Sequence, residues 1–105
     1  MKTSELTGEA LDWAVARCRG DANCWMHDRQ LGFENSPSTD WAFGGRIIER
    51  ECIDLQYQGG DSDIWAADMC GNESSIYGNT PLIAAMRCYV TSKMGDDVEP
   101  PRELL

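Results

Sequence analysis

The chain has 105 residues, with 9 Lys and Arg against 18 Asp and Glu, which gives a formal net charge of -9 at pH 7. That length corresponds to one domain, which can bury about 65% of the surface that the unfolded chain exposes. The negative charge excludes binding to nucleic-acid polymers and anionic membranes as a general mode, and it favours a small ligand or a basic protein as partner.

The start of the chain lacks the apolar segment of a signal peptide, and the longest continuous apolar run, Leu82 to Met86, is too short to cross a bilayer. We therefore expect a cytoplasmic protein. Cysteines stand at positions 18, 24, 52, 70 and 88. An odd number of cysteines without an export signal favours reduced thiols, and a disulfide between Cys18 and Cys24 requires an oxidising compartment.

The first predicted helix begins after Thr7 as N-cap and runs to about Arg19, with Gly20 as its stop. Its apolar residues recur at the spacing of one buried helix face: Leu11, Ala14, Val15 and Cys18. Residues 21–35 carry no clear pattern. A short strand is predicted at Ala22 to Met26, followed by an exposed loop.

Residues 36–51 combine a proline, small polar side chains, Trp41 and a glycine pair, which predicts a loop feeding a strand. Alternation of apolar and polar residues then predicts a β-hairpin over residues 52–69, with its turn at 59–62. Residues 70–79 contain two glycines and two asparagines and are predicted to form a loop or second turn.

The second predicted helix begins with Thr80 as N-cap and Pro81 as first residue, ends at Gly95, and packs across the hairpin. Residues 96–105 are acidic and contain two prolines, which predicts an extended tail. The sequence thus predicts a small α+β domain over residues 1–95, in which two main helices pack on a short antiparallel sheet containing a hairpin, and a tail at 96–105.

Residues for catalysis or metal binding are few. The one histidine, His27, stands in a segment without pattern, so a hydrolytic triad has little support. Cys18, Cys24, His27 and Cys70 include the right ligand types for zinc, but their spacing matches no standard zinc motif. The acidic residues Asp61, Asp63 and Asp68 are better explained as a solvated hairpin tip than as a cation site. We expect no enzymatic activity, no cofactor and no bound metal.

The segment around Trp41 is the strongest candidate site. Its side chains can form directional hydrogen bonds, the indole can stack on a planar group, and glycines let a ligand approach the backbone. A tight structural loop with Trp41 in the core explains the same residues about equally well. The predicted ligand-binding residues are Ser38, Thr39, Asp40, Trp41, Gly44, Gly45, Arg46 and Arg87.

Three blocks of the sequence resemble one family. They are TSELTGEALDWAVA at residues 3–16, PSTDWAFGGRIIERE at residues 37–51 and TPLIAAMRCYV at residues 80–90. The sequence is similar to the NinX family of small phage and prophage proteins. The resemblance implies an accessory protein of the phage early region, acting in the bacterial host cytosol, with no established activity. Arg46 departs from the family pattern, which usually has proline after the glycine pair.

Two functions follow as hypotheses. The first is a non-enzymatic protein that binds a small nucleotide-like ligand or host-defence signal through the predicted loop at Ser38 to Gly45. The alternative is an acidic interaction module that binds and modulates a basic host or phage protein. A homo-oligomer is compatible with either, because the aromatic residues Trp41, Trp65 and Tyr89 also suit a subunit interface.

Overall fold

The computed structural model describes residues 1–20, 22–32, 36–59, 64–69 and 75–104. These residues form four α-helices and a three-stranded antiparallel sheet, an α+β architecture as predicted. The helices are α1 (Gly8–Arg19), α2 (Ala22–Gln30), α3 (Trp41–Glu51) and α4 (Pro81–Met94). The strands are β1 (Ile53–Gly59), β2 (Ile64–Met69) and β3 (Ile76–Gly78), and 3₁₀ turns lie at Thr3–Glu5 and Arg102–Leu104.

The two helices predicted from capping signals are confirmed. α1 follows Thr7 and ends at Gly20, whose φ of 84° is left-handed and whose N–H bonds the carbonyls of the last turn. α4 follows Thr80, whose hydroxyl accepts a hydrogen bond from the Ile83 N–H at 3.1 Å, and Pro81 is its first residue. Gly95 ends α4 by donating its N–H to a carbonyl one turn back.

Two segments predicted as strand and loop are helical. Ala22 to Met26 is part of α2, because buried Trp25 and the partly buried Ala22 and Met26 share one face at helical spacing. The predicted loop and strand at residues 41–51 is α3. Buried Gly44 and Ile47 are one turn apart in α3, and they orient its inner face.

The predicted hairpin is confirmed in its two strands. β1 and β2 pair antiparallel from Ile53 opposite Met69 to Tyr57 opposite Trp65, with an irregularity before Gly59. Its predicted turn, and with it Asp61 and Asp63, lies outside the described residues at 60–63. The predicted loop at 70–79 is wrong in its last part, because residues 76–78 form β3 beside β2. Residues 70–74 are outside the described part of the chain.

α4 is the central element of the fold. It contacts all three strands as well as α1 and α3, so one face of the sheet lies against a helical layer. β3 approaches α4 closely at Gly78, where a β-carbon would lie 2.6 Å from the backbone nitrogen of Ala84. The core between these layers contains the fully buried side chains Leu6, Leu11, Val15, Ile47, Met86 and Val90.

The two ends of the chain lie side by side. Lys2 and Asp97 form an antiparallel bridge, and the Val98 N–H donates to the Met1 carbonyl at 2.9 Å. Val98 is 5% exposed and belongs to the core. The division into a domain at 1–95 and a tail at 96–105 stays a prediction. Across the described residues, no helix is both long enough and apolar enough to cross a bilayer.

Candidate functional site

Trp41 stands at the start of α3, directly after a tight turn. The carbonyl of Ser36 accepts hydrogen bonds from the N–H groups of Thr39 and Asp40, at 2.9 and 2.7 Å. The Asp40 carboxylate then accepts from the Ala42 N–H at 2.9 Å and caps the helix. A turn followed by a capped first residue fixes the backbone that carries the indole.

The indole of Trp41 is 54% exposed, which is unusual for so large an apolar ring. It borders a depression of about 250 Å³ between the start of α3 and the first turn of α4. The residues that line this depression, called here the Trp41 depression, are Ser38, Thr39, Trp41, Thr80, Pro81, Leu82 and Ile83. An exposed indole beside an apolar and hydroxyl-lined concavity can stack on a planar group.

Ser38 forms one wall of the Trp41 depression. It is 2% exposed, and its N–H donates to the buried carboxylate of Asp12 on α1 at 2.9 Å. Among the described side chains with buried polar atoms, only the Ser38 hydroxyl oxygen has no hydrogen-bond partner. Such an unpaired buried group costs free energy in the free protein, and a hydrogen bond to it would remove that cost.

The glycine pair has a packing role that differs from the prediction. A β-carbon at Gly44 would collide with the Pro37 carbonyl oxygen and lie 2.5 Å from the Leu82 side chain. Gly44 therefore lets α3 approach α4, and it does not line the Trp41 depression. Gly45 lies beneath the indole, since a β-carbon there would be 3.7 Å from Trp41 Cε3, an ordinary contact.

The structure brings only part of the predicted set together. Ser38, Thr39 and Trp41 line the Trp41 depression, whereas the exposed Arg46 does not. Asp40 caps α3 instead of facing the depression. Residues 80–83 form the opposite wall, which was not predicted, because their capping pattern indicates the start of a helix but not which segment lies beside it.

The charge environment of the Trp41 depression is set by two helix N-termini, since α3 and α4 both begin at it. The positive ends of helix dipoles favour negative groups nearby. At α4, the Ile83 N–H already donates to the Thr80 hydroxyl, and Pro81 has no N–H. At α3, the Asp40 carboxylate already offsets part of the positive end.

Arg87 does not line the Trp41 depression. Its Nε donates to the Leu6 carbonyl and its Nη1 donates to the Tyr77 carbonyl, both at 2.8 Å. It lines a separate depression of about 370 Å³ with Tyr77 and Asn79. Burial lowers the pKa of the Arg87 guanidinium, and the charge of Glu5 opposes that change. The predicted grouping of Arg87 with the Trp41 segment is therefore not found.

The described cysteines and histidine do not gather into a metal site. No three His, Cys, Asp or Glu side chains lie together within the described ranges, and Cys70 is outside them. Cys18, Cys24, Cys52 and Cys88 are free thiols. Burial raises the pKa of Cys18 and of Cys88 to about 11, which keeps both thiols protonated at neutral pH.

A family model described as "Bacteriophage P22, NinX" matches residues 2–93 of the chain. The match covers α1 to α3, the three strands and all but the last residue of α4, including both walls of the Trp41 depression. No curated protein matches the chain.

Proposed function

Because the chain belongs to the NinX family of bacteriophage P22, we propose that this phage accessory protein binds a small, planar, nucleotide-like ligand in the Trp41 depression. One observation carries the proposal: a half-exposed Trp41 and Ser38, whose buried hydroxyl has no hydrogen-bond partner, line the same concavity. The indole offers a flat apolar face and the hydroxyl offers a directional hydrogen bond. Together they suit a heteroaromatic ring with polar edges.

Size and charge refine the ligand class. A volume of about 250 Å³ is slightly below the usual range of small-molecule sites, about 300–1,000 Å³. A single ring system therefore fits inside, and the rest of a larger ligand extends over the surface. The adjacent N-termini of α3 and α4 favour a negative group on that ligand. A nucleotide combines both features.

Binding without chemical transformation is the simplest use of these groups. The described residues that line the Trp41 depression carry no carboxylate, imidazole, thiol or amine. Its polar side chains are the hydroxyls of Ser38, Thr39 and Thr80, which need an activating base to act in catalysis. His27, the one histidine in the sequence, is exposed on α2 and does not line the depression. In a phage protein, sequestering a nucleotide signal of host defence is a role that needs binding alone.

The test is a ligand screen on the purified protein by thermal shift and calorimetry, using cyclic dinucleotides, ADP-ribose derivatives and mononucleotides. We expect at least one of these to raise the melting temperature of the wild type. Replacing Trp41 with Ala removes the stacking face and should lower the affinity for that ligand about tenfold or more. Tyr57→Ala is the matched control, because Tyr57 is equally exposed at 54% but lies outside the depression.

Two results would contradict the proposal. One is the absence of any ligand that stabilises the wild type. The other is a ligand that binds Trp41→Ala and wild type equally well. A phage carrying Trp41→Ala tests the biological role, since it should lose the growth benefit of the protein in a host with nucleotide-based defence.

A second candidate is an acidic interaction module, favoured by the distribution of charge. The net charge is -9, and the described part of the chain exposes a set of acidic side chains to solvent: Glu5, Glu9, Glu49, Asp54, Asp96 and Glu99. A basic host or phage protein is the partner that this charge attracts, and such binding weakens steeply with salt. Affinity capture from infected cells separates the candidates: a stoichiometric basic partner, lost at high salt and retained by Trp41→Ala, supports the module.

A further inference from the structure

Arg87 is held in one orientation by uncharged partners. Its Nε and Nη1 donate to the carbonyls of Leu6 and Tyr77, which are 81 and 10 residues away in sequence. Leu6 is fully buried, so one of these anchors belongs to the rigid core. A guanidinium carries more N–H donors than two carbonyls can accept, so further donors remain for another acceptor.

The charge of Arg87 is not neutralised by contact with a carboxylate of the described residues. The ion pairs among these residues join other groups, and none includes Arg87. Glu5 acts on Arg87 through its charge at longer range, and it is exposed to solvent. A half-buried cation with neutral neighbours gains more from an incoming anion than an exposed, solvated arginine does.

Arg87 also borders open space. The described residues that line the depression of about 370 Å³ beside it are Ser4, Ile64, Ser75, Tyr77, Gly78 and Asn79. Tyr77 is 53% exposed, so its ring offers an apolar surface. The Asp68 carboxylate accepts from the Ser75 hydroxyl at 2.7 Å and does not itself line the depression.

We propose that this depression is a second binding site, for a small anion attached to an aromatic ring, with the anionic group on Arg87 and the ring against Tyr77. The anion is a carboxylate or a phosphate, because a preorganised guanidinium binds both with paired hydrogen bonds. This site is separate from the Trp41 depression, because the two linings share no residue. It does not depend on the function proposed above.

The proposal is tested on the wild-type protein by NMR titration at low ionic strength, following the Nε–H signals of all arginines and the ring signals of the tyrosines. The probes are inorganic phosphate, phenyl phosphate, benzoate and phenol. We expect saturable shifts of the Arg87 and Tyr77 signals with phenyl phosphate, benzoate or both. Phenyl phosphate should bind more tightly than phosphate, and phenol should leave Arg87 unchanged. The relative affinity of phenyl phosphate and benzoate identifies the anion.

Variants separate the two contacts. Arg87→Lys keeps the charge but loses the paired N–H donors of the guanidinium. It should lower the affinity for the preferred aromatic anion about tenfold. Tyr77→Ala should remove the preference for phenyl phosphate over phosphate, whereas Tyr57→Ala, an equally exposed tyrosine outside the depression, should keep it. If Arg87→Lys does not fold, the wild-type titration alone decides.

The proposal is overturned if no probe shifts the Arg87 signal to saturation. It is equally overturned if every exposed arginine shifts as Arg87 does, because the anions then bind only as a general ion atmosphere. In either case Arg87 is a structural link between Leu6 and Tyr77, and the depression takes no anion.

Discussion

Ser38 shows how a single residue can be costly in the free protein and useful in a complex. Its hydroxyl is buried without a hydrogen-bond partner, while its N–H is bound by Asp12. Ser38→Ala removes the hydroxyl and keeps the N–H bond. We expect the free energy of unfolding of the free protein to stay the same or rise by up to about 1 kcal/mol.

If a ligand binds to this hydroxyl, the same substitution should reduce the free energy of binding by about 1 kcal/mol or more. Urea denaturation with and without the ligand from the screen measures both effects. Thr39→Ala is the control for the stability of the free protein alone, since Thr39 is exposed and its hydroxyl makes only a long 3.4 Å bond to the Ser36 carbonyl. A loss of stability in free Ser38→Ala would contradict the assignment of an unpaired hydroxyl.

The two adjacent glycines of α3 form a matched pair for testing helix packing. Gly44→Ala forces a methyl group against Pro37 and Leu82 and should cost about 1–3 kcal/mol of stability. Gly45→Ala meets only an ordinary contact at 3.7 Å, so the better helix propensity of alanine should add about 0.5–1 kcal/mol. Chemical denaturation of both variants measures the difference. Equal stabilities would contradict the close approach of α3 to α4.

At the scale of elements, the caps of α1 and α4 differ although both are threonines. The Thr80 hydroxyl accepts from the Ile83 N–H, whereas the Thr7 side chain makes no capping hydrogen bond. Thr80→Ala should therefore lower the free energy of unfolding by about 1 kcal/mol, and Thr7→Ala by clearly less. Thermal and urea unfolding of the two variants give the comparison. A larger effect at Thr7 would show that the α1 cap is formed in solution.

The elements that the sequence predicts correctly are those with signals at both ends. α1 has Thr7 and Gly20, and α4 has Thr80, Pro81 and Gly95, so local chemistry alone defines them. α3 was predicted as a loop because two consecutive glycines disfavour a helix in isolation. Packing overrides this preference, since only a glycine at position 44 fits against Pro37 and Leu82. β3 has only three residues, too few for a periodic pattern.

The candidate site was predicted only in part, because the sequence does not show which segments pack together. The indole, the small polar residues and the glycines are visible in the sequence, but their use depends on contacts that are distant along the chain. The opposite wall of the Trp41 depression comes from α4, and the anchors of Arg87 come from Leu6 and Tyr77. No local pattern encodes these neighbours, so both the wall and the separate position of Arg87 required the fold.

At the scale of the whole molecule, buried thiols make stability depend on pH in the alkaline range. Burial raises the pKa of Cys18 and Cys88 from about 9 to about 11. Above pH 9 the unfolded chain loses these protons while the folded chain keeps them, so the free energy of unfolding should fall between pH 9 and 11. Urea unfolding across that range measures the slope.

Substitutions at the thiols check this origin. In Cys88→Ala, the free energy of unfolding should fall less between pH 9 and 11 than it does in the wild type. In Cys52→Ala it should fall by the same amount as in the wild type, since Cys52 is exposed. Burial also raises the pKa of Tyr89, which adds to the fall above pH 10 and remains in both variants. A wild-type stability that is constant from pH 9 to 11 would contradict the burial of the thiols.

The last segment of the chain tests whether the domain ends at residue 95. If residues 96–105 were an independent tail, a chain ending at Gly95 would be as stable as the full chain. The structure instead buries Val98 in the core and pairs Asp97 with Lys2, so we expect that truncation to cost about 2–3 kcal/mol of stability.

Val98→Ala should reproduce much of this loss of stability, whereas Glu99→Ala, a substitution at the exposed neighbouring residue, should not. Urea denaturation measures all three variants, and an unchanged midpoint for the truncated chain would confirm the boundary predicted from the sequence.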